Sequence, residues 1–249
     1  MTRHEAFELV GRYFFNGKHK EDEAAEAGSL AACEGLGYIW YYGRLGEKDY
    51  EKAFYYFSMA AEEGNVNAGY KIADMYKNGY YVEKDYEKYK EIIEELYEEI
   101  RDENPWEYPI SDVTSRLARI RKEEGNDREA LALLVKAEEL VRLNIRERQF
   151  WGDMHVMKWL KEDHYKWTAF DPESFGFYDL FYLLGEPVRV RFTYRGQEET
   201  VESVSEDGEI HIRFNDRWFR SIDDFFEKAE IGGEKLTRIE ERFRDWRIV

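Results

Sequence analysis

Residues 49–52 read Asp49-Tyr50-Glu51-Lys52, and residues 85–88 read Asp85-Tyr86-Glu87-Lys88, the same four letters 36 positions later. Working outward, Ala32, Leu36, Trp40 and Gly43 return at that offset as Ala68, Ile72, Tyr76 and Gly79. Eight matches in chemical type at one fixed spacing mark an internal repeat. Such a unit cannot bury its apolar face alone and stacks on its neighbours. Each unit reads as two helices. Ala32, Leu36 and Trp40 recur every fourth residue, the mark of one face of a first helix. Gly43 follows its last turn, where left-handed backbone ends a helix at low cost. Asp49 then offers a carboxylate to the free N–H groups that open a second helix, on which Ala53, Phe57 and Ala60 share a face. Gly64 and Asn65 close that helix, and Tyr86, Tyr89, Ile93 and Leu96 form the corresponding face of the next unit.

The spacing Ala32, Leu36-Gly37, Trp40, Gly43, Gly46, Asp49, Lys52-Ala53, Ala60-Ala61 and Gly64 resembles the Sel-one-like repeat, a relative of the tetratricopeptide repeat. The second unit keeps Ala68, Tyr76, Gly79, Val82, Asp85 and Lys88. It departs at Tyr81, where the family usually has a loop glycine, at Tyr89, where it has a small alanine, and in the Glu-rich stretch 91–99. Ala6, Val10-Gly11, Phe14 and Gly17 copy the first-helix spacing, so 3–28 reads as a cap with a shortened second helix. Further on, Leu117, Ala118, Ala130, Leu134 and Ala137 resemble one tetratricopeptide unit over 110–144, with Gly125-Asn126-Asp127 as its turn. The resemblance implies a right-handed superhelix whose concave surface holds a protein or peptide, and it supplies no chemistry.

Residues 150–186 are dense in aromatic side chains, which predicts packing between the helices and the C-terminal part of the chain; a groove or partner surface is the alternative. A helix over 173–184 is expected, with Phe177, Leu180, Phe181 and Leu184 on one side. After Pro187 the apolar period changes to two. Val188, Val190, Phe192 and Tyr194 alternate with Arg189, Arg191 and Thr193, the pattern of a half-buried strand. Arg195-Gly196 and Asp207-Gly208 read as two-residue hairpin turns. Those turns place Arg189 opposite Glu202, Thr193 opposite Glu198, and Glu202 opposite Arg213, a charge ladder that answers local arginines with local glutamates. Arg217 to Arg220 make a short fourth strand, and Ser221 caps a helix carrying Phe225, Phe226 and Ala229 that ends at Ile231-Gly232-Gly233.

The expected fold is mainly α: an α-α superhelical repeat array followed by a small α+β domain with a three- to four-stranded antiparallel sheet. Its parts are a helical array over 1–149 (cap 3–28, repeats 29–64 and 65–99, helix pair 110–144), an aromatic-rich connection over 150–186, and the α+β domain over 187–249.

The formal net charge is −17, and no long block is net basic, which disfavours a nucleic-acid backbone as partner. Cys33 is the single cysteine, so no disulfide framework is expected. No run of apolar residues is long enough for a membrane span, and the first residues are charged rather than signal-like, so a cytoplasmic protein is expected. No glycine-rich phosphate loop, nucleophile elbow or metal-ligand spacing stands out, so no catalytic residue, metal or cofactor is assigned.

The candidate binding groove is rich in tyrosine: Tyr38, Tyr41, Tyr42, Tyr70, Tyr80 and Tyr81, with Asp74 among them. Aromatic rings give large contact area at low ordering cost. Acidic neighbours favour a basic segment in a protein or peptide partner, held by an adaptor. An enzyme or modifying module in the C-terminal domain, and an immunity- or antitoxin-like protein neutralising a basic toxin, are the alternatives. The residues that build the repeat itself are Ala32, Gly43, Asp49, Ala68, Gly79, Asp85, Ala118, Ala130 and Ala137.

Overall fold

The computed structural model describes residues 30–44, 46–148 and 151–249. The cap expected over 3–28 lies outside the described residues. The chain divides into two compact units, 1–123 and 124–249.

In the first unit, α1 (Leu30–Tyr42) and α2 (Tyr50–Glu62) form one helix pair, and α3 (Val66–Asn78) and α4 (Tyr86–Ile100) form the next. The loops of the two pairs open and close on the same hydrogen bonds at the 36-residue offset, though the Gly46 N–H bond to the Gly43 carbonyl has no counterpart in the second. Asp49 N–H donates to the Trp40 carbonyl and Asp85 N–H to the Tyr76 carbonyl, both at 3.0 Å. Each aspartate caps the helix it precedes: Asp49 accepts from Lys52 N–H and Asp85 from Lys88 N–H. Gly43 and Gly79 take the left-handed conformation at the first helix ends, with φ of 66° and 71°. Tyr81 also has positive φ, 69°, at the place where the resemblance leads one to expect glycine. Asn65 does more than end a helix, because its side chain accepts from Ala68 N–H and so caps α3.

Ala32, Cys33, Leu36, Ala53, Phe57, Ala60, Ala68 and Met75 make one continuous core. The helices approach most closely at Gly37, where an added Cβ would stand 2.4 Å from the Phe57 ring. Tyr89 and Ile93 are fully buried on α4, while Tyr86 and Leu96 are half-buried beside them. α5 (Ile110–Glu123) packs on α4 and is the last helix of the first unit.

The second unit opens with α6 (Asp127–Arg148), whose Ala130, Leu134 and Ala137 are buried, and α7 (Trp151–Trp167) packs along it. The helix expected over 173–184 is shorter. A 3-10 turn over Phe177–Asp179 leads into α8 (Leu180–Leu183). The reason is Asp179: its carboxylate accepts from Gly176 N–H at 2.7 Å, holding the preceding chain in an extended approach.

The antiparallel sheet has five strands rather than three or four. They are β1 (Val188–Tyr194), β2 (Gln197–Glu206), β3 (Glu209–Phe214), β4 (Arg217–Phe219) and β7 (Arg244–Ile248), in the order β4-β3-β2-β1-β7. The register is the one the turns predict, with Arg189 opposite Glu202, Thr193 opposite Glu198, and Glu202 opposite Arg213. Between β4 and β7 come α9 (Ile222–Lys228), a two-stranded ribbon of β5 (Glu230–Ile231) and β6 (Glu234–Lys235), and α10 (Leu236–Ile239). Ile231-Gly232-Gly233 therefore turns a hairpin instead of ending the helix, which stops at Lys228. Val190, Phe192, Val201, Ile212 and Phe214 bury one face of the sheet against Phe225, Phe243 and their neighbours. Within the aromatic-rich stretch, Phe177 and Phe181 join this core on Phe226, whereas Trp159 and Tyr182 stay exposed.

Candidate functional site

Helical periodicity aligns a set of polar and aromatic side chains along the first helices of the first unit. On α1, Glu34, Tyr38 and Tyr42 follow one another at four-residue spacing; on α3, Tyr70 and Asp74 do the same, with Lys71 beside them; on α5, Asp112 and Arg116 do so again. Tyr38 and Tyr70 hydroxyls lie 3.0 Å apart, and the Tyr38 and Tyr42 rings are parallel. The Lys71 ammonium donates to the Tyr42 hydroxyl at 3.2 Å and to Asp74 Oδ2 at 3.4 Å. It also stands 5.2 to 5.8 Å from the ring centres of Tyr38, Tyr41, Tyr42 and Tyr70. The Arg116 guanidinium lies 4.2 Å over the Tyr70 ring, and Arg116 grips Asp74 through two nitrogens.

Charge is therefore matched inside the cluster. Burial pushes the Asp74 carboxyl up, but Arg116 and Lys71 more than offset it and hold Asp74 below the usual aspartate range. Asp112 goes the other way: burial dominates and raises its carboxyl despite the pull of Arg116 and Lys71. Burial also raises the Tyr38, Tyr41 and Tyr70 phenols, so all three stay protonated at ordinary pH. Glu34 is raised by burial against the hydrogen bonds of Asn65 and Asn67.

Of the tyrosines singled out in the sequence, Tyr38, Tyr41, Tyr42 and Tyr70 come together around Lys71, and Asp74 joins them. Tyr80 sits elsewhere, stacked on Tyr50 with ring centres 4.4 Å apart. Tyr81 is exposed near Phe54 and Glu51 on the loop side. Within the cluster, Tyr42 is the open member, 47% exposed. Sequence reading missed Lys71, Asp112 and Arg116. Their alignment every fourth residue, or beside a member that is, was the available signal. Cys33 lies in the core with its thiol raised by burial, the state of an unreactive cysteine.

The second unit has its own cleft, of about 280 Å³, beside α6, α7 and the 3-10 turn. Lys161 bridges Glu138 at 2.7 Å and Asp179 at 2.8 Å, and His164 Nδ1 lies 2.6 Å from the other Glu138 oxygen. Burial works against the Lys161 ammonium, but Asp179 and Glu138 more than offset it, so the lysine is held charged rather than as a free amine. Arg142 meets Glu240 through two nitrogens. The Tyr178 hydroxyl is buried there without a hydrogen-bond partner.

A known repeat family agrees with the repeat geometry. The Sel1 repeat family model matches residues 30–65, the first helix pair, and residues 67–88, α3 with its loop and the first residues of α4. No curated protein matches the chain. A crystal structure of a Sel1 repeat protein from Oxalobacter formigenes is similar at 17% identity and a TM-score of 0.47, over 72% of this chain and 68% of that one. The helices over residues 30–88 are thus a Sel1-type repeat array, related to the tetratricopeptide repeat, and the family match ends before the sheet-bearing C-terminal region.

Proposed function

We propose that the tyrosine-rich face of the first helices binds a protein or peptide, and that the protein acts as an adaptor. The observation that carries this is Tyr42: a large ring left open at the edge of the cluster while its hydroxyl is held by Lys71, which Asp74 and Arg116 anchor in turn. A ring held in place before binding loses little freedom on contact, which favours affinity. The Sel1-type array supports the reading, since helical repeats of this class serve protein–protein interaction.

A basic partner draws its support from the loops instead of from Asp74, which Arg116 already neutralises. Glu47 and Glu83 are exposed at equivalent places in the two repeats, as are Glu51 and Glu87. Such charges steer encounter and choose between partners more than they add affinity.

The test is affinity capture from the host's extract with the full chain and with Tyr42→Ala, read by mass spectrometry. A protein kept by the full chain and lost with Tyr42→Ala, at equal melting temperature, supports the face. Identical capture by both chains overturns it. Glu47→Lys together with Glu83→Lys then reports on partner charge: capture that survives this double reversal at low salt rules out the basic segment.

A further inference from the structure

The fifth strand changes the charge balance on the outer face of the sheet. On β1 the side chains directed away from the buried Val190 and Phe192 are Arg189, Arg191 and Thr193. β2 sets Glu202, Thr200 and Glu198 opposite them. β3 adds Arg213 across from Glu202, and β7 adds Arg247 across from Arg191. Two arginine–glutamate–arginine triads result. Glu202 accepts from Arg189 Nε at 2.6 Å and pairs with the Arg213 guanidinium through its other oxygen. Glu198 pairs with Arg191 at 3.2 Å and with the Arg247 guanidinium. Each triad keeps one positive charge in excess.

Between them lies an open pocket of about 250 Å³, lined by Arg189, Arg191, Thr200, Glu202, Arg213 and Asn215. Thr200 stands opposite Arg191 in the ladder, and Asn215 ties down the rim by accepting from Thr200 N–H and donating to Glu199. Arg191 Nε is shielded from solvent and donates to nothing. An oxyanion in the open pocket meets the rest of that guanidinium, whose side chain is 37% exposed and lines it. The further acids of this face, Glu206 and Glu209, pair across the far hairpin end. Glu206 is six residues from Thr200, roughly 20 Å along the strand. At physiological ionic strength that exceeds the Debye length of about 8 Å.

Guanidinium groups present flat forks of N–H donors that fit the oxygens of a phosphoryl group, and two excess positive charges match a dianion. We propose that this pocket binds a compact dianionic phosphoryl group, as inorganic phosphate or as a phosphate monoester. Trp218 stands across from Arg213 and is 51% exposed, with the guanidinium 5.5 Å from its ring. It offers a flat surface for an aryl group carried by a monoester.

The experiment is calorimetric titration of the full chain with inorganic phosphate and, separately, with phenyl phosphate, against chloride at matched ionic strength. Saturable binding of either is expected, weakened at least about tenfold by Arg191→Gln. Arg238→Gln, which removes the same charge from an exposed position on α10, should leave binding unchanged. Tighter binding of phenyl phosphate that falls with Trp218→Ala identifies a monoester, and equal binding identifies free phosphate. Should Arg191→Gln fold poorly, Arg213→Gln removes a second lining guanidinium and should weaken binding in the same way. No saturable binding of either probe overturns the proposal. So does an equal loss in Arg191→Gln and Arg238→Gln, which would reduce the effect to net charge.

Discussion

Arg116 reaches across the first helices of the repeat unit to Asp74, donating from Nε to Oδ1 at 2.9 Å and from Nη2 to Oδ2 at 2.7 Å. Both side chains are largely covered, so the pair has left water and depends on its own geometry. Removing one member strands the other. Asp74→Ala should therefore destabilise by roughly 3–5 kcal/mol. Arg116→Met with Asp74→Leu should recover only part of that loss in chemical denaturation, because it removes the pair but leaves Lys71 and Asp112 covered without their partners. A double substitution as costly as Asp74→Ala alone would refute this.

The same pair sets a pH dependence. Asp74 has a folded-state pKa below its unfolded one, so its ionised form adds stability that is complete above the ordinary aspartate value near 4. That stability is lost as pH falls through the lower, folded value. Comparing the full chain with Asp74→Asn isolates the effect from Asp112, whose raised carboxyl acts in the opposite direction. The difference in unfolding free energy should be widest above pH ~5 and should narrow steadily below pH ~4. A gap that stays constant down to acid unfolding would show that Asp74 acts through packing alone.

Gly37 faces Phe57 with no room for a methyl group, since its added Cβ would stand 2.4 Å from the ring. Phe57 is fully buried between Leu36, Ala53 and the other core residues and cannot swing away. Gly37→Ala should cost about 1–3 kcal/mol despite the better helix propensity of alanine. Gly37→Ala combined with Phe57→Leu should cost less than the two separate losses added together. Denaturant midpoints of the three variants decide it.

Features carried by neighbours in sequence were legible, and features made by distant partners were not. The 36-residue offset placed α1 to α4 and both aspartate caps. Two-residue turns at Arg195-Gly196 and Asp207-Gly208 set the register of three strands, down to Arg189 opposite Glu202. β7 escaped because Arg244-Asp245-Trp246-Arg247-Ile248 is charge-rich and shows no clean alternation; it is an edge strand recruited by β1. That omission also hid Arg247, and with it the second triad. In the tyrosine cluster the rings were visible, but Asp74 looked like a free acid. Its neutralising partner, Arg116, is 42 residues away on a helix read only for its small residues.

Asp49 and Asp85 perform one task twice, each accepting a hydrogen bond from an N–H in the first turn of the following helix. Asp49→Ala and Asp85→Ala should each cost about 1 kcal/mol. They occupy different repeats and share no hydrogen-bond partner, so the double variant should show the sum within about 0.5 kcal/mol. A double variant that loses well over the sum in urea unfolding would mean the two loops are coupled through the stack.

Tyr178 makes the opposite case, of a polar atom whose loss should help. Its ring is buried, 5% exposed, in parallel orientation to Phe226, while its hydroxyl finds no hydrogen-bond partner. Burial first, and the nearby Glu240 carboxylate second, raise the phenol and keep it protonated, so it gains nothing by ionising beside Arg142. An unmade bond at a buried hydroxyl costs roughly 1–3 kcal/mol. Tyr178→Phe keeps the ring and removes the cost, so the variant should be more stable by about 1 kcal/mol. Tyr178→Ala, by contrast, empties the ring's place and should lose about 3–5 kcal/mol. A Tyr178→Phe chain less stable than the parent would show that the hydroxyl holds a bond in solution, through water or through Glu240, and that the cleft beside it is built around that bond.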